Sequence, residues 1–263
     1  MLASAAWAQG DAKRGEYLAA AGGCVGCHTE AAAGAVPYAG GRLLDTPFGT
    51  FYGPNITPHP QAGIGNWREQ DFVRAMRRGE RPDGAHYYPA FPYPSFTRIT
   101  DADLRDLWAY LRLLKPSSRA NQRHDLRFPF NWRWLNGVWK FFFFQPGQAM
   151  GPSRGAYLVH ALGHCEECHS PRNFLGGIKK GRTLAGGKLP DGEAPNLTPT
   201  GLKKWSDRDL KQFLRTGATP QGDTTSDVMY EVVRNTTSRL TSEDLDALVA
   251  YLRSLPPLPE PPK

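Results

Sequence analysis

The sequence predicts an all-α fold built as two tandem copies of one small domain. Two observations predict it: a long internal repeat and, within each copy, apolar residues at helical spacing behind helix caps. Gly15-Glu16-Tyr17-Leu18 returns as Gly155-Ala156-Tyr157-Leu158 at an offset of 140 residues. Pro54-Asn55-Ile56-Thr57 returns as Pro195-Asn196-Leu197-Thr198 at 141. Trp67 pairs with Trp205 at 138. Arg98-Ile99-Thr100-Asp101-Ala102-Asp103-Leu104 pairs with Arg239-Leu240-Thr241-Ser242-Glu243-Asp244-Leu245, again at 141. Matches spread over a whole half place the copies at residues 10–115 and 151–256. Residues 116–150 become a linker and 257–263 a Pro-rich tail.

Residues 1–9 resemble the end of a secretory signal, because Ala6-Trp7-Ala8 fits the small-x-small cleavage rule. A charged start and a full apolar segment are missing, and a frayed Ala-rich terminus is the alternative. Each copy then opens on a helix, about 11–21 and 153–162. A Gly/Pro-rich stretch follows and is expected to need little regular structure. A short helix comes next, 69–77 and 207–215, with Phe72, Val73 and Met76, or Leu210, Phe213 and Leu214, at helical spacing. Each copy ends in a helix whose N-cap is Thr100 or Thr241, with acidic residues in the first turn to suit the dipole. Leu104, Leu107, Trp108 and Leu111 form one apolar face; Leu245, Leu248, Val249 and Leu252 form its equivalent. Helices this short bury little by themselves, so a further group is expected in each core.

The cysteines indicate that group. The chain has four, all within Cys24-Val25-Gly26-Cys27-His28 and Cys165-Glu166-Glu167-Cys168-His169. Cys-x-x-Cys-His is the attachment signature of c-type haem. One helical turn presents both sulfurs, Cys24 with Cys27 or Cys165 with Cys168, to one edge of a porphyrin. The adjacent His28 or His169 can then bind iron through an imidazole nitrogen. A Cys-x-x-Cys can also be half of a zinc site or a thiol redox pair, and two of them can make one four-cysteine zinc site. Both copies carry the His, which favours two covalent haems. Haem attachment in a bacterial chain takes place outside the inner membrane, so a periplasmic location is expected.

A sixth ligand is usually Met or His. Of the four Met, Met1 is terminal, Met150 lies in the linker and Met76 falls on the short helix. Met229, between the short and last helices of the second copy, is the candidate sixth ligand of the second haem. Mapping Met229 onto the first copy gives Phe91 from one side and Tyr88 from the other, neither of them Met. His86 is the nearest strong ligand, with Tyr88 or an open iron as alternatives.

The linker sets Arg119, Arg123, Arg127, Arg133 and Lys140 against Asp125 alone, among nine Phe and Trp residues between Phe128 and Phe144. It is too short and interrupted to span a bilayer. One reading is a strap packed between the domains; the other is a surface for a membrane or a partner subunit through 128–144. The charge of +7 fits acidic protein partners or an anionic membrane. No basic helix or motif accompanies it that would point to nucleic acid.

Taken together, Cys24–His28, Cys165–His169, Pro54–Thr57, the run Tyr88-Pro89-Ala90-Phe91-Pro92-Tyr93-Pro94-Ser95 and Met229–Thr237 resemble the diheme members of the bacterial cytochrome c family. They are especially similar to the multi-haem cytochrome subunits of membrane-bound alcohol and gluconate dehydrogenases. The resemblance implies two all-α cytochrome c domains, each wrapped around one haem. In those subunits the Tyr-Pro-Ala-x-Pro-Tyr stretch carries a ligating Met at x, where this chain has Phe91. It also implies that backbone at Pro37 and Pro171 accepts the proximal imidazole N–H, and that Asn55/Thr57 and Asn196/Thr198 contact propionates.

The function expected is a periplasmic electron carrier, associated with the outer face of the inner membrane. It takes single electrons from an exported dehydrogenase and passes them to a cytochrome or oxidase. Met ligation would raise the second haem above a His-ligated first, so electrons would flow from first to second. The rival is a peroxidase-like diheme enzyme with an open or labile first haem.

Overall fold

In the computed structural model, residues 10–147, 153–190, 192–225 and 227–261 are described. The candidate signal end at 1–9 and Met150 lie outside them. The first copy runs α1 (Ala12–Ala21), α2 (Cys24–His28), β1 (Leu43–Thr46), β2 (Gly49–Tyr52), α3 (Glu69–Arg78), α4 (Tyr93–Phe96) and α5 (Asp101–Leu113). The linker adds β3 (Asp125–Leu126) and α6 (Leu135–Phe143). The second copy has α7 (Arg154–Tyr157), α8 (Glu166–His169), β4 (Ala185–Leu189), β5 (Gly192–Asn196), α9 (Asp207–Thr216), α10 (Asp227–Asn235) and α11 (Ser242–Ser254).

The expected all-α fold needs correction. Each Gly/Pro-rich stretch forms an antiparallel hairpin, β1–β2 paired Leu43 to Tyr52 and β4–β5 paired Ala185 to Asn196. The linker strand β3 extends the first hairpin, Gly49 pairing with Leu126. The Gly-rich composition hid β4 and β5, which have few apolar side chains to alternate.

The helix caps form as their chemistry requires. Thr100 Oγ1 accepts from Asp103 N, and Thr241 Oγ1 from Asp244 N. The short helices α3 and α9 end on Gly79 (φ 57°) and Gly217 (φ 78°), a left-handed stop that glycine takes without a Cβ clash. The first helix of the second copy turns π-helical at Leu158–Leu162. A π turn absorbs one extra residue. It lies where the repeat offset steps from 140 at Tyr17/Tyr157 to 141 at Cys24/Cys165.

Within each copy the first helix crosses the last at close range. A Cβ on Gly15 would fall 1.9 Å from Asp106 O, and one on Gly155 2.1 Å from Ala247 O. Leu18, Leu104, Leu107 and Leu111 on one side, and Leu158, Leu245, Leu248 and Leu252 on the other, join a common core.

The copies meet through a reciprocal exchange, as in an isologous dimer. Tyr17 Oη of the first copy donates to Asp244 Oδ2 (2.6 Å) and accepts from Thr241 N. Tyr157 Oη of the second donates to Asp103 Oδ2 (2.5 Å) and accepts from Thr100 N. Arg154 holds Asp244 through two bonds, and Arg14 holds both Asp103 and Asp106. The residues that made the repeat visible are thus those that dock its two halves.

Candidate functional site

The two Cys-x-x-Cys-His helices lie at this docking surface. Asn235, the last residue of α10, sits beside Gly26 of the first motif, and Thr236 just after it beside Gly23, which caps the motif helix. Arg42 of the first copy pairs with Glu231 of α10 (2.8 Å). Reciprocally, Ser95 of α4 contacts Glu166 and Glu167 of the second motif, and Arg98 pairs with Glu166 (2.6 Å). Burial first, then Glu167 and, across the interface, Cys27 push the Cys168 thiol up.

The donor set fits haem. His28 Nδ1 donates to Pro54 O (2.7 Å) and His169 Nδ1 to Pro195 O (2.8 Å). A carbonyl can only accept, so each bond fixes the tautomer that leaves Nε2 as the iron-binding lone pair. Burial lowers the pKa of both imidazoles, with the carbonyl opposing, which keeps the neutral, ligating form. These carbonyls correct the expectation of Pro37 and Pro171: each hairpin packs against its own motif helix, with Pro54 just past β2 and Pro195 within β5.

None of the four cysteines is paired in a disulfide, which leaves all four for attachment, and burial chiefly pushes the unattached Cys24 and Cys165 thiols up to about 12. Among the described residues no group of three or more His, Cys, Asp or Glu converges on a metal-sized point. A four-cysteine zinc site would need such a group.

Both Asn/Thr pairs bind the backbone of their own copy. Asn55 Oδ1 accepts from Thr57 N and Oγ1, and Nδ2 donates to Ser117 O and Arg119 O. Asn196 Oδ1 accepts from Thr198 N and Oγ1, and Nδ2 donates to Leu258 O. Both amide protons of Asn55 are used, so a propionate finds no free donor there. The pairs instead staple the chain that leaves the last helix. Ser117, Arg119 and Leu258 are therefore working parts of the two copies.

Met229 lies on α10, half-buried, with Val228 and Tyr230 exposed on either side. α10 packs against α9 of its own copy and against α2 of the other. His86 is held by the linker. Lys140 Nζ lies 3.0 Å from its Nδ1, and a Cβ on Gly137 would lie 3.2 Å from its Nε2. Lys140 also donates to Arg78 O and Gly79 O at the C-terminus of α3. Tyr88 Oη donates to Asn131 O, and the Arg133 guanidinium lies 4.5 Å above its ring. Phe91 packs against Tyr87 and Phe96.

The linker is a strap with an outer face. Trp139 Nε1 donates to Leu175 O, and the Phe143 ring lies on Gly177, both on the second copy. Phe144 packs on Tyr93 of the first. Phe141 and Phe142 point outward, 83% and 65% exposed, beside exposed Phe128, Trp132 and Trp134.

The profile described as Cytochrome c matches residues 12–115 and again 153–256. The chain belongs to the cytochrome c family. It is 46% identical, over 94% of its length and 86% of the relative's, to a protein of Cereibacter sphaeroides described as diheme cytochrome c-type. It is 39% identical to the cytochrome c subunit of a quinone-dependent alcohol dehydrogenase of Gluconobacter oxydans, over 94% of this chain and 55% of that subunit. It is 40% identical to the gluconate 2-dehydrogenase cytochrome c subunit of Pantoea cypripedii, over 92% and 59%. The chain thus spans a little over half the length of these two dehydrogenase subunits. As a cytochrome c with two such domains, it carries two c-type haems and serves electron transfer.

Proposed function

We propose that this diheme cytochrome c is a periplasmic carrier, taking single electrons from an exported dehydrogenase and passing them to another cytochrome or an oxidase. The observation that carries this reading is the reciprocal interface, which sets the two haem-binding motifs against one another. When bound, haem supplies the one-electron iron couple. The chain fixes each proximal imidazole through Pro54 O or Pro195 O. It also holds the two halves in one arrangement, so neither end of the relay must reorganise. The relatives described as dehydrogenase subunits support the donor class.

Met229 is proposed as the sixth ligand of the second iron. For the first, the linker's hold on His86 and Tyr88 supports an iron left without either. The same hold favours a carrier over a peroxidase-like enzyme. Cleaving peroxide calls for a distal base, and His86 faces Lys140 and Gly137. Carbon monoxide is expected to bind the reduced first haem, with no peroxide turnover, and His86→Ala is expected to leave that haem's spin state unchanged. Met229→Ala is expected to remove the thioether–iron charge-transfer band. Rapid peroxide turnover would establish the enzyme instead.

The outer face of the strap is proposed to contact the outer surface of the inner membrane or the dehydrogenase. Phe141→Ser with Phe142→Ser is expected to leave the melting temperature in place and to weaken binding to anionic vesicles or to the partner. Trp139→Ser is expected to cost about 2 kcal/mol of stability, since a half-buried aromatic is lost. A comparable loss from the Phe pair would reduce the face to packing.

A further inference from the structure

The repeat is nearly symmetric around its two motifs, and two charge pairs of the second, Glu166 with Arg98 and Glu167 with Arg172, break the symmetry; only the first of them crosses between the copies. Glu166 follows directly on Cys165, and its side chain is 9% exposed. Its Oε1 takes a hydrogen bond from Arg98 Nη1 of the other copy (2.6 Å), and its Oε2 lies 3.0 Å from His160 Nδ1. The other nitrogen of His160 bonds Tyr251 Oη (2.7 Å). Arg98 also reaches His160 O. At the equivalent places of the first motif the carboxylate is replaced by Val25, and the counterpart of Arg98, Arg239, is exposed. The first motif has its own cross-copy pair, Arg42 with Glu231, but Glu231 is 40% exposed and more strongly screened by solvent.

We infer that Arg98, a residue of the first domain, sets the reduction potential of the second haem by neutralising Glu166. A buried carboxylate one residue from a thioether cysteine stabilises the more positive ferric iron and lowers the potential. The guanidinium cancels this charge only while the domains are docked. Docking therefore tunes the second haem, and among the described residues the first motif has no equally buried cross-copy pair to tune it in the same way. Arg98 is a positioning and tuning residue and does not touch the reacting iron.

This rests on the second haem being an electron-transfer centre. The test is a spectroelectrochemical titration of the full holoprotein at about pH 8, well above the carboxylate range. The second haem's wave is assigned by its loss in Cys165→Ala with Cys168→Ala. Arg98→Gln is expected to shift the second haem to lower potential and leave the first in place. Glu166→Gln, nearly isosteric, is expected to shift it higher, and the double variant to return it towards the wild type. An unmoved second wave in Glu166→Gln, or both waves moving together in either variant, overturns the inference. A haem count and a peroxide-turnover assay on the same variants test the underlying carrier reading separately.

Discussion

Replacing Cys165 and Cys168 together by Ala is expected to leave a protein with one covalent haem, and replacing Cys24 and Cys27 to leave the other. Each pair lies on a single helical turn beside a histidine whose tautomer is fixed by a backbone carbonyl. The loss should exceed that of any surface change, because Cys24 and Cys165 pack directly against the apolar core. At about 25 cal/mol per Å² of apolar surface, removing a buried macrocycle costs several kcal/mol. The intact copy keeps its own caps and its own first-to-last helix crossing, so the remaining haem should stay bound. Haem is counted by the pyridine haemochrome, and unfolding is followed by circular dichroism. Two haems persisting in either double variant, or stoichiometric zinc in the wild type, would refute the attachment sites.

Much of this organisation was legible in the sequence, for identifiable reasons. Helix starts were readable because Thr100 and Thr241 act locally, bonding a backbone N–H three residues on. The step in repeat offset from 140 to 141 was readable as a number, and its meaning became plain only in the π turn at Leu158–Leu162. The hairpins escaped because β4 contains Gly186 and Gly187, which carry no pattern of alternation. The flank of Thr46-Pro47-Phe48-Gly49 by Leu43-Leu44 and Phe51-Tyr52 was a turn signal that could have revealed β1–β2. His86 is a candidate ligand by the place of its loop in the repeat. What engages it is Lys140, more than fifty residues away, and periodicity carries no information about such a contact. The carbonyls at Pro54 and Pro195 escaped for the same reason, since hairpin closure brings them to the imidazoles.

Asp244→Ala is expected to destabilise the whole molecule by about 3 kcal/mol, from the loss of charged hydrogen bonds at a largely buried carboxylate. On the scaling of chains this size, that is a fall of roughly 6–12 °C in melting temperature. One carboxylate here serves both halves: it accepts from Arg154 of its own copy and from Tyr17 of the other. Removing it strands a guanidinium and a phenol at the interface, although Arg154, 39% exposed, can partly rehydrate. The cost also has a pH signature. Burial would raise the Asp244 carboxyl, but bonds from Arg154 and Tyr17 hold it below the ordinary range. A carboxylate depressed in the folded state stabilises fully above its unfolded value, and that contribution fades as pH falls through the folded value. The gap between wild type and Asp244→Ala should therefore be widest at neutral pH and narrow below about pH 4. Tyr17→Phe isolates the cross-copy part. In a double-mutant cycle with Asp244→Asn it should give a coupling of about 1 kcal/mol, because the two groups are in direct contact. A coupling near zero would mean that the Tyr17–Asp244 bond only sets the orientation of the copies, and that their other contacts hold them together.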